Sequence, residues 1–145
     1  MEPARHRVAV YVTRQRQGTT ELLVFAHRDY PEAGIQVPAG GVDTNETLHS
    51  AATREVREET GIDVSLGEAL GVQLLPHPTT GQRRITVFFH ATTTQTPSQW
   101  THTVVSDGED NGLVFECRFI PIEEANLLGG LDEWLHLVPK NLVTN

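Results

Sequence analysis

Three carboxylates, Glu55, Glu58 and Glu59, crowd into the run Arg54-Glu55-Val56-Arg57-Glu58-Glu59. Counting about 100° per residue along a helix puts Leu48, Ala51, Ala52 and Val56 on one apolar face. The same count puts Glu55 and Glu59 on that face too, with Glu58 at its edge and Arg57 opposite. The stripe that should be buried therefore ends in acids. Like charges three or four residues apart destabilise a helix by a few tenths of a kcal/mol per pair, and acids in the last turn meet the unfavourable end of the dipole. A hard divalent cation such as Mg2+ reverses the sign, because clustered carboxylate oxygens are its ligands, together with water and phosphate. A solvated acidic face is the alternative, and it requires this end of the helix to protrude from the core.

The segment carrying these acids predicts a helix over 45–60. Asp43 offers an N-cap, Glu46 stands three residues later, and no Gly or Pro interrupts the chain before Gly61, read as the C′ stop. Upstream, 7–13 and 21–27 are rich in β-branched and aromatic residues and are read as paired strands. A short extended piece, Ile35 to Pro38, runs into Ala39-Gly40-Gly41, where a tight loop is expected. Downstream, 69–75, 84–91 and 113–120 read as strands, the first two separated by a turn through Pro76, Pro78 and Gly81. Residues 92–111 are polar and Thr-rich and predict a long substrate-side loop. Segment 121–137 predicts one or two short helices packing on the sheet. The result is a single α/β domain spanning residues 1–145.

The chain has 145 residues, 11 Lys+Arg against 19 Asp+Glu, a net charge of −8 and one cysteine. A chain of this length buries a core without staples. The lone Cys117 has no disulfide partner, which points to a reducing, cytoplasmic setting, and it is read as a core residue. No apolar run reaches the roughly 18 residues of a membrane span, and the first residues contain no signal-type apolar region. The acidic balance argues against nucleic acid as a partner, since phosphate backbones call for clustered Lys and Arg. The acids are not spread evenly: Asp43, Glu46, Glu55, Glu58 and Glu59 lie in 40–62, and Asp107, Glu109, Asp110 and Glu116 in 107–116.

Gly40, five residues, Glu46, seven residues and Arg54-Glu55-Val56-Arg57-Glu58-Glu59-Thr60-Gly61-Ile62 resemble a complete Nudix box. That box is the signature of the Nudix (MutT-like) hydrolase superfamily. The resemblance implies the Nudix fold, an α/β/α sandwich around a mixed β-sheet. It also implies hydrolysis of the diphosphate in a nucleoside diphosphate linked to a group X, with Mg2+ or Mn2+. Carried over residue by residue, Glu58 and Glu59 are the principal metal ligands, Glu55 is a ligand or the base that orients water, and the Gly40 carbonyl adds a metal contact. Arg54 and Glu46 are chiefly structural, as is Gly61. Many members of the superfamily draw a further acid from a later loop, and here Glu109 is favoured over Asp110, with Glu116 further on.

Outside the box the markers thin. Pro78 and the lead-in Pro38-Ala39-Gly40 resemble ADP-ribose-type hydrolases, although Pro78 also serves as a turn residue. Against that type, the long N-terminal extension that contributes to the dimer and substrate site of many such enzymes is not expected here; a homodimer is carried as an expectation. The expected substrate is a nucleotide-type small molecule, with (d)NTPs and dinucleoside polyphosphates as alternatives. Arg28, Arg83 and Arg84 are the candidate phosphate contacts, because a guanidinium binds phosphate oxygens in pairs. Trp100, in the polar segment, is the candidate for stacking on a base. Two rivals remain, a Nudix-derived sensor that binds a nucleotide without cleaving it and an RNA-processing protein. The intact acid set weighs against the first, and the acidic balance against the second.

Overall fold

The computed structural model describes residues 3–94 and 97–140. Strand β1 (Arg5–Arg16) turns through two residues, Gln17 and Gly18, into β2 (Thr19–His27). Both turn residues have positive φ, which suits the twist of a two-residue hairpin. The two strands pair only at their closed end, from Thr13 to Arg16 against Leu22 to Thr19. Farther along β1, residues Arg7 to Ala9 pair instead with β3 (Ala39–Gly41), so the sheet splits and β3 fills the gap. Helix α1 (Leu48–Thr60) follows. Next come β4 (Ser65–Leu74), β5 (Arg84–Thr92), β6 (Gln99–Thr103) and β7 (Val114–Pro121). The order across the sheet is β4-β5-β1-β2-β7-β6, with β1 and β5 parallel and the other pairs antiparallel. It is a mixed sheet with a helix packed on it, as the α/β reading expects.

Alternation along β1 sends its side chains to two cores. Val8, Val10 and Val12 face α1 and pack with Ala51, Ala52, Val56, Phe25, Phe89 and Phe115. Burying Val56 alone contributes about 1.5–3 kcal/mol. Ala9 and Tyr11 face the other way, onto Val24, Phe88, Ile122, Leu127 and Val138. The layer on that side is not α-helical, in contrast to the helices expected over 121–137. Three 3₁₀ turns, Ile122–Glu124, Gly129–Asp132 and Leu135–Leu137, cover it. The Gly129-Gly130 pair and the short spacing between apolar residues suit single turns rather than a helix. Tyr11 ties this layer down, its hydroxyl donating to the Leu131 carbonyl.

Two further boundaries differ from expectation. The helix begins at Leu48, not 45, because Asn45 adopts a φ of 67°, which no right-handed helix accommodates. Thr47 is the N-cap, its Oγ1 accepting from Ser50 N at 3.0 Å. The Asp43–Glu46 pair keeps half of a capping box: Glu46 Oε1 accepts from Asp43 N at 2.9 Å. Segment 92–111 is not one loop, since Gln99–Thr103 forms β6 on the edge of β7. Trp100 and His102 point inward while Gln99, Thr101 and Thr103 stay exposed, a period-two pattern compressed into five residues.

Candidate active site

The site grows from the split in the sheet. With β3 wedged against β1, Gly40 aligns with Val8 and so faces α1, while Gly41 aligns with Arg7 and faces the opposite side. A side chain at Gly40 has no room, because its Cβ would fall on the Glu55 carboxylate. The backbone at Gly40 therefore lies directly against an acid of the helix. Glu59, one turn on, accepts a hydrogen bond from Ala39 N at 2.9 Å. Helix and strand are thus joined by the carboxylates themselves.

Arg54 organises the charges. Its Nε and Nη2 donate to the two oxygens of Glu46 at 2.8 Å each, a bidentate pair, and Nη2 also donates to the Gly41 carbonyl at 2.8 Å. Its Nη1 donates to Glu55 Oε2 at 2.9 Å and more loosely to both oxygens of Glu58 at 3.3 Å. The Arg54 guanidinium holds Glu46 below the usual carboxylate range, and Glu46 in turn strengthens the charge on Arg54. This clamp fixes the 41–46 loop to the helix.

Glu55 and Glu59 stand out electrostatically. Both are buried, so the alternative of a protruding, solvated acidic face does not hold for them. Burial, reinforced by the charges of Glu58 and Asp110 against the pull of Arg54, pushes the Glu55 carboxyl up to about 7. Burial, then Glu55 and Asp110, push Glu59 well above the usual range, opposed by the Ala39 N–H and by Arg7. Two buried acids that resist ionisation are a site short of positive charge. The donor set fits a hard divalent cation: carboxylate oxygens of Glu55, Glu58 and Glu59 beside a strand whose Gly40 backbone stands bare. Among the described residues, no three acidic, histidine or cysteine side chains already converge as a coordination shell. Glu58, held to Arg54 by long bonds, and Glu59, held by Ala39 N, are turned toward the protein.

The other residues singled out from sequence are distributed unevenly. Gly61 is the helix cap, with φ of 79° and its N–H donating to Arg57 O. Glu109 is exposed in the turn between β6 and β7, and it is Asp110 whose charge reaches both Glu55 and Glu59. Ser106 Oγ, donating to Asp110 Oδ1 at 2.8 Å, holds that side chain in place. Glu116 is exposed on β7, opposite Ala26 and Thr101. Arg28 is exposed just past β2, 3.7 Å from Asp29. Arg84 opens β5, its Nε buried.

Trp100 is not a free loop aromatic. It lies in β6, packs at 5.9 Å from Phe119, and its indole N–H donates to the Thr60 carbonyl at 2.7 Å. His102 Nε2 lies 2.9 Å from the Glu58 carbonyl. Strand β6 thus satisfies carbonyls that the end of a helix leaves without partners, which holds the Glu58-Glu59 turn against the sheet. Sequence reasoning missed this anchoring, and it missed Arg7. The charge of Arg7 is felt at Glu55 and Glu59. The alternation of Trp100 and His102 with threonines was the available signal for the first, and Arg5-His6-Arg7 at the head of β1 for the second.

A mixed sheet split by a short glycine strand, with an acidic helix docked in the split, defines a class. A family model, the NUDIX domain, matches residues 4–140, and the chain belongs to that family. The fold is similar to a MutT NUDIX hydrolase from Burkholderia pseudomallei, with a TM-score of 0.69 at 22% identity over 95% of this chain and 100% of that one. It is also similar to the NUDIX domain of Shewanella oneidensis NrtR complexed with ADP ribose, with a TM-score of 0.68 at 15% identity over 95% and 86% of the two chains. In sequence, diphosphoinositol polyphosphate phosphohydrolase 2 of Rattus norvegicus is 42% identical over 71 residues, 49% of this chain and 38% of the relative. The chain thus matches well under half the length of that relative. Among the described residues, no helix is long and apolar enough to cross a membrane.

Proposed function

We propose that this chain hydrolyses a phosphoanhydride bond in a divalent-cation-dependent reaction, on a diphosphate that links a nucleoside to a group X. The observation that carries this reading is the pair Glu55 and Glu59, buried acids raised in pKa by burial and set against the bare Gly40 backbone. A chain that only bound its ligand would gain nothing from burying mutually repelling acids. Glu55, Glu58, Glu59 and the Gly40 carbonyl are the groups that would hold the ion. Mg2+ or Mn2+, when bound, neutralises diphosphate charge and polarises the phosphorus under attack.

The chain's own residues perform the rest. Glu55, beside Gly40 and oriented by Arg54, is the carboxylate suited to take a proton from water as the water oxygen bonds to phosphorus and the bridging anhydride oxygen departs. Asp110 takes the part expected of Glu109, since its charge reaches both acids from the β6–β7 turn. Arg54 keeps Glu55 oriented and holds the 41–46 loop on the helix. Arg7, on β1, brings a positive charge that is felt at Glu59 and Glu55.

Among substrates, the ADP-ribose or nucleotide-sugar type is supported by the Pro38-Ala39-Gly40 lead-in and by the likeness to the NrtR domain complexed with ADP ribose. Pro78 supports it less, since it lies in the turn that His77 organises by accepting from Thr79 N and Thr80 N. The test is a panel of nucleotide sugars, ADP-ribose, dinucleoside polyphosphates and nucleoside triphosphates with Mg2+ or EDTA. At least one member turns over with the metal, and Glu59→Gln lowers that rate by about a hundredfold or more while the fold persists. Absence of metal-dependent turnover on the whole panel refutes the enzyme reading in favour of a sensor.

A further inference from the structure

Three arginines stand together on the side of β3 away from the carboxylates. Arg5 and Arg7 share a face of β1 by the period of two, and Arg84 is the register partner of Arg5 on the parallel strand β5. The Arg5 guanidinium lies over Gly41, in the space a Cβ would take, so this glycine leaves room for the arginine as Gly40 leaves room for Glu55. Arg84 Nε is buried with no hydrogen-bond partner, although a buried guanidinium donor is normally satisfied. Among the described residues, none of the ion pairs involves Arg5, Arg7 or Arg84.

Such a cluster is costly when left alone. Burial, then the neighbouring guanidinium, lowers the proton affinity of Arg7 and of Arg84. In a chain of net charge −8, three clustered cations, of which Arg7 alone feels nearby acids, Glu59 and Glu55, need a reason. Adjacent strands lie about 4.8 Å apart, and residues i and i+2 roughly 6.5–7 Å apart, so the three guanidinium groups can converge on one tetrahedral anion. Among the described residues, the outer edge of β3 carries no partner strand, and Gly40 and Gly41 there separate Glu55 on one side from Arg5 on the other. Arg7 links the two sides, since its charge is felt by both Glu55 and Glu59.

We propose that Arg5, Arg7 and Arg84 form a second phosphate subsite of this active site, so that the substrate carries at least one phosphate group beyond the phosphoanhydride that is cleaved. This rests on the hydrolase reading above and narrows it to polyphosphorylated compounds. The ligand phosphate belongs to the substrate; free inorganic phosphate is the other source of the same chemistry.

Two measurements separate these cases. In EDTA, titration of wild type with inorganic tripolyphosphate by calorimetry detects binding, and Arg5→Gln and Arg84→Gln each weaken it about tenfold or more, the worth of a charged hydrogen bond. Arg5 is exposed, so its variant folds even if the half-buried Arg84 variant does not. With Mg2+, wild type is compared on ADP-ribose, which has no further phosphate, diadenosine tetraphosphate and a diphosphoinositol polyphosphate. The proposal expects kcat/KM at least tenfold higher on one of the phosphate-rich compounds, and a collapse of that preference in Arg5→Gln through KM rather than kcat. Unchanged tripolyphosphate affinity in both variants overturns it. Weakened affinity with no substrate preference also overturns it, by making the subsite one for free phosphate. Turnover of none of the three compounds, with arginine-dependent tripolyphosphate binding intact, refutes the hydrolase reading and leaves the anion site standing.

Discussion

Replacing Glu55 with Gln isolates what the carboxylate cluster costs the metal-free fold. In the folded chain burial holds a proton on Glu55 up to about pH 7, whereas an unperturbed glutamate releases it near 4.5. The folded value is the higher one, so the stabilisation is complete below about pH 4.5 and is lost as pH rises through 7. At about 1.4 kcal/mol for each pH unit, the gap corresponds to about 3 kcal/mol. Gln is neutral at every pH and nearly the same shape, so Glu55→Gln removes this loss. In EDTA at pH 8 the variant should be more stable than wild type by up to about 3 kcal/mol, or roughly 6–12 °C in Tm, and equal to it near pH 4. Thermal and urea denaturation from pH 4 to 8 measures the difference. Adding Mg2+ at a hundred times its Kd returns about 2.7 kcal/mol to wild type, and the variant, short of one ligand, gains less. Parallel stability curves for the two proteins across pH 4.5–8, or a variant less stable than wild type at pH 8, would refute the reasoning.

The remaining predictions follow from the same geometry. Arg54→Lys keeps a charge but loses the fork that joins Glu46, the Gly41 carbonyl and Glu55, and should cost about 2–3 kcal/mol in urea denaturation together with most of the activity. Asp110→Asn should lower kcat at least about tenfold, while Glu109→Gln stays within about twofold; the reverse order in steady-state kinetics would restore Glu109 as the loop acid. Trp100→Phe keeps the ring against Phe119 but leaves the Thr60 carbonyl without its donor. It should cost about 1–2 kcal/mol in thermal unfolding.

The helix, its acids and the glycines before it were legible because their signals are local. The spacing of Glu55, Glu58 and Glu59 follows from the helical period, and Gly61 stops a helix in the same way wherever the helix lies. The paired strands β1 and β2 were legible for the same reason, and so was Cys117 as a buried residue, its thiol pushed up to about 12 by burial and by Glu59. Strand β6 was not, because its pattern occupies five residues and gains its partner from β7, eleven residues farther along the chain. The 3₁₀ turns after β7 escaped because apolar spacing alone does not set how tightly a short segment winds.

From its sequence alone, this protein had an acidic helix whose buried stripe ends in carboxylates, and hence a need for cations, since like charges at helical spacing repel wherever the helix is placed. Which loop acid stands near them, and which arginines, depended on contacts between distant segments. Asp110 reaches Glu55 and Glu59 through a turn between β6 and β7, and Arg5, Arg7 and Arg84 meet only because β1 and β5 run parallel. Strand register decides such meetings, and a slip of one residue would carry every one of these side chains to the other face of the sheet.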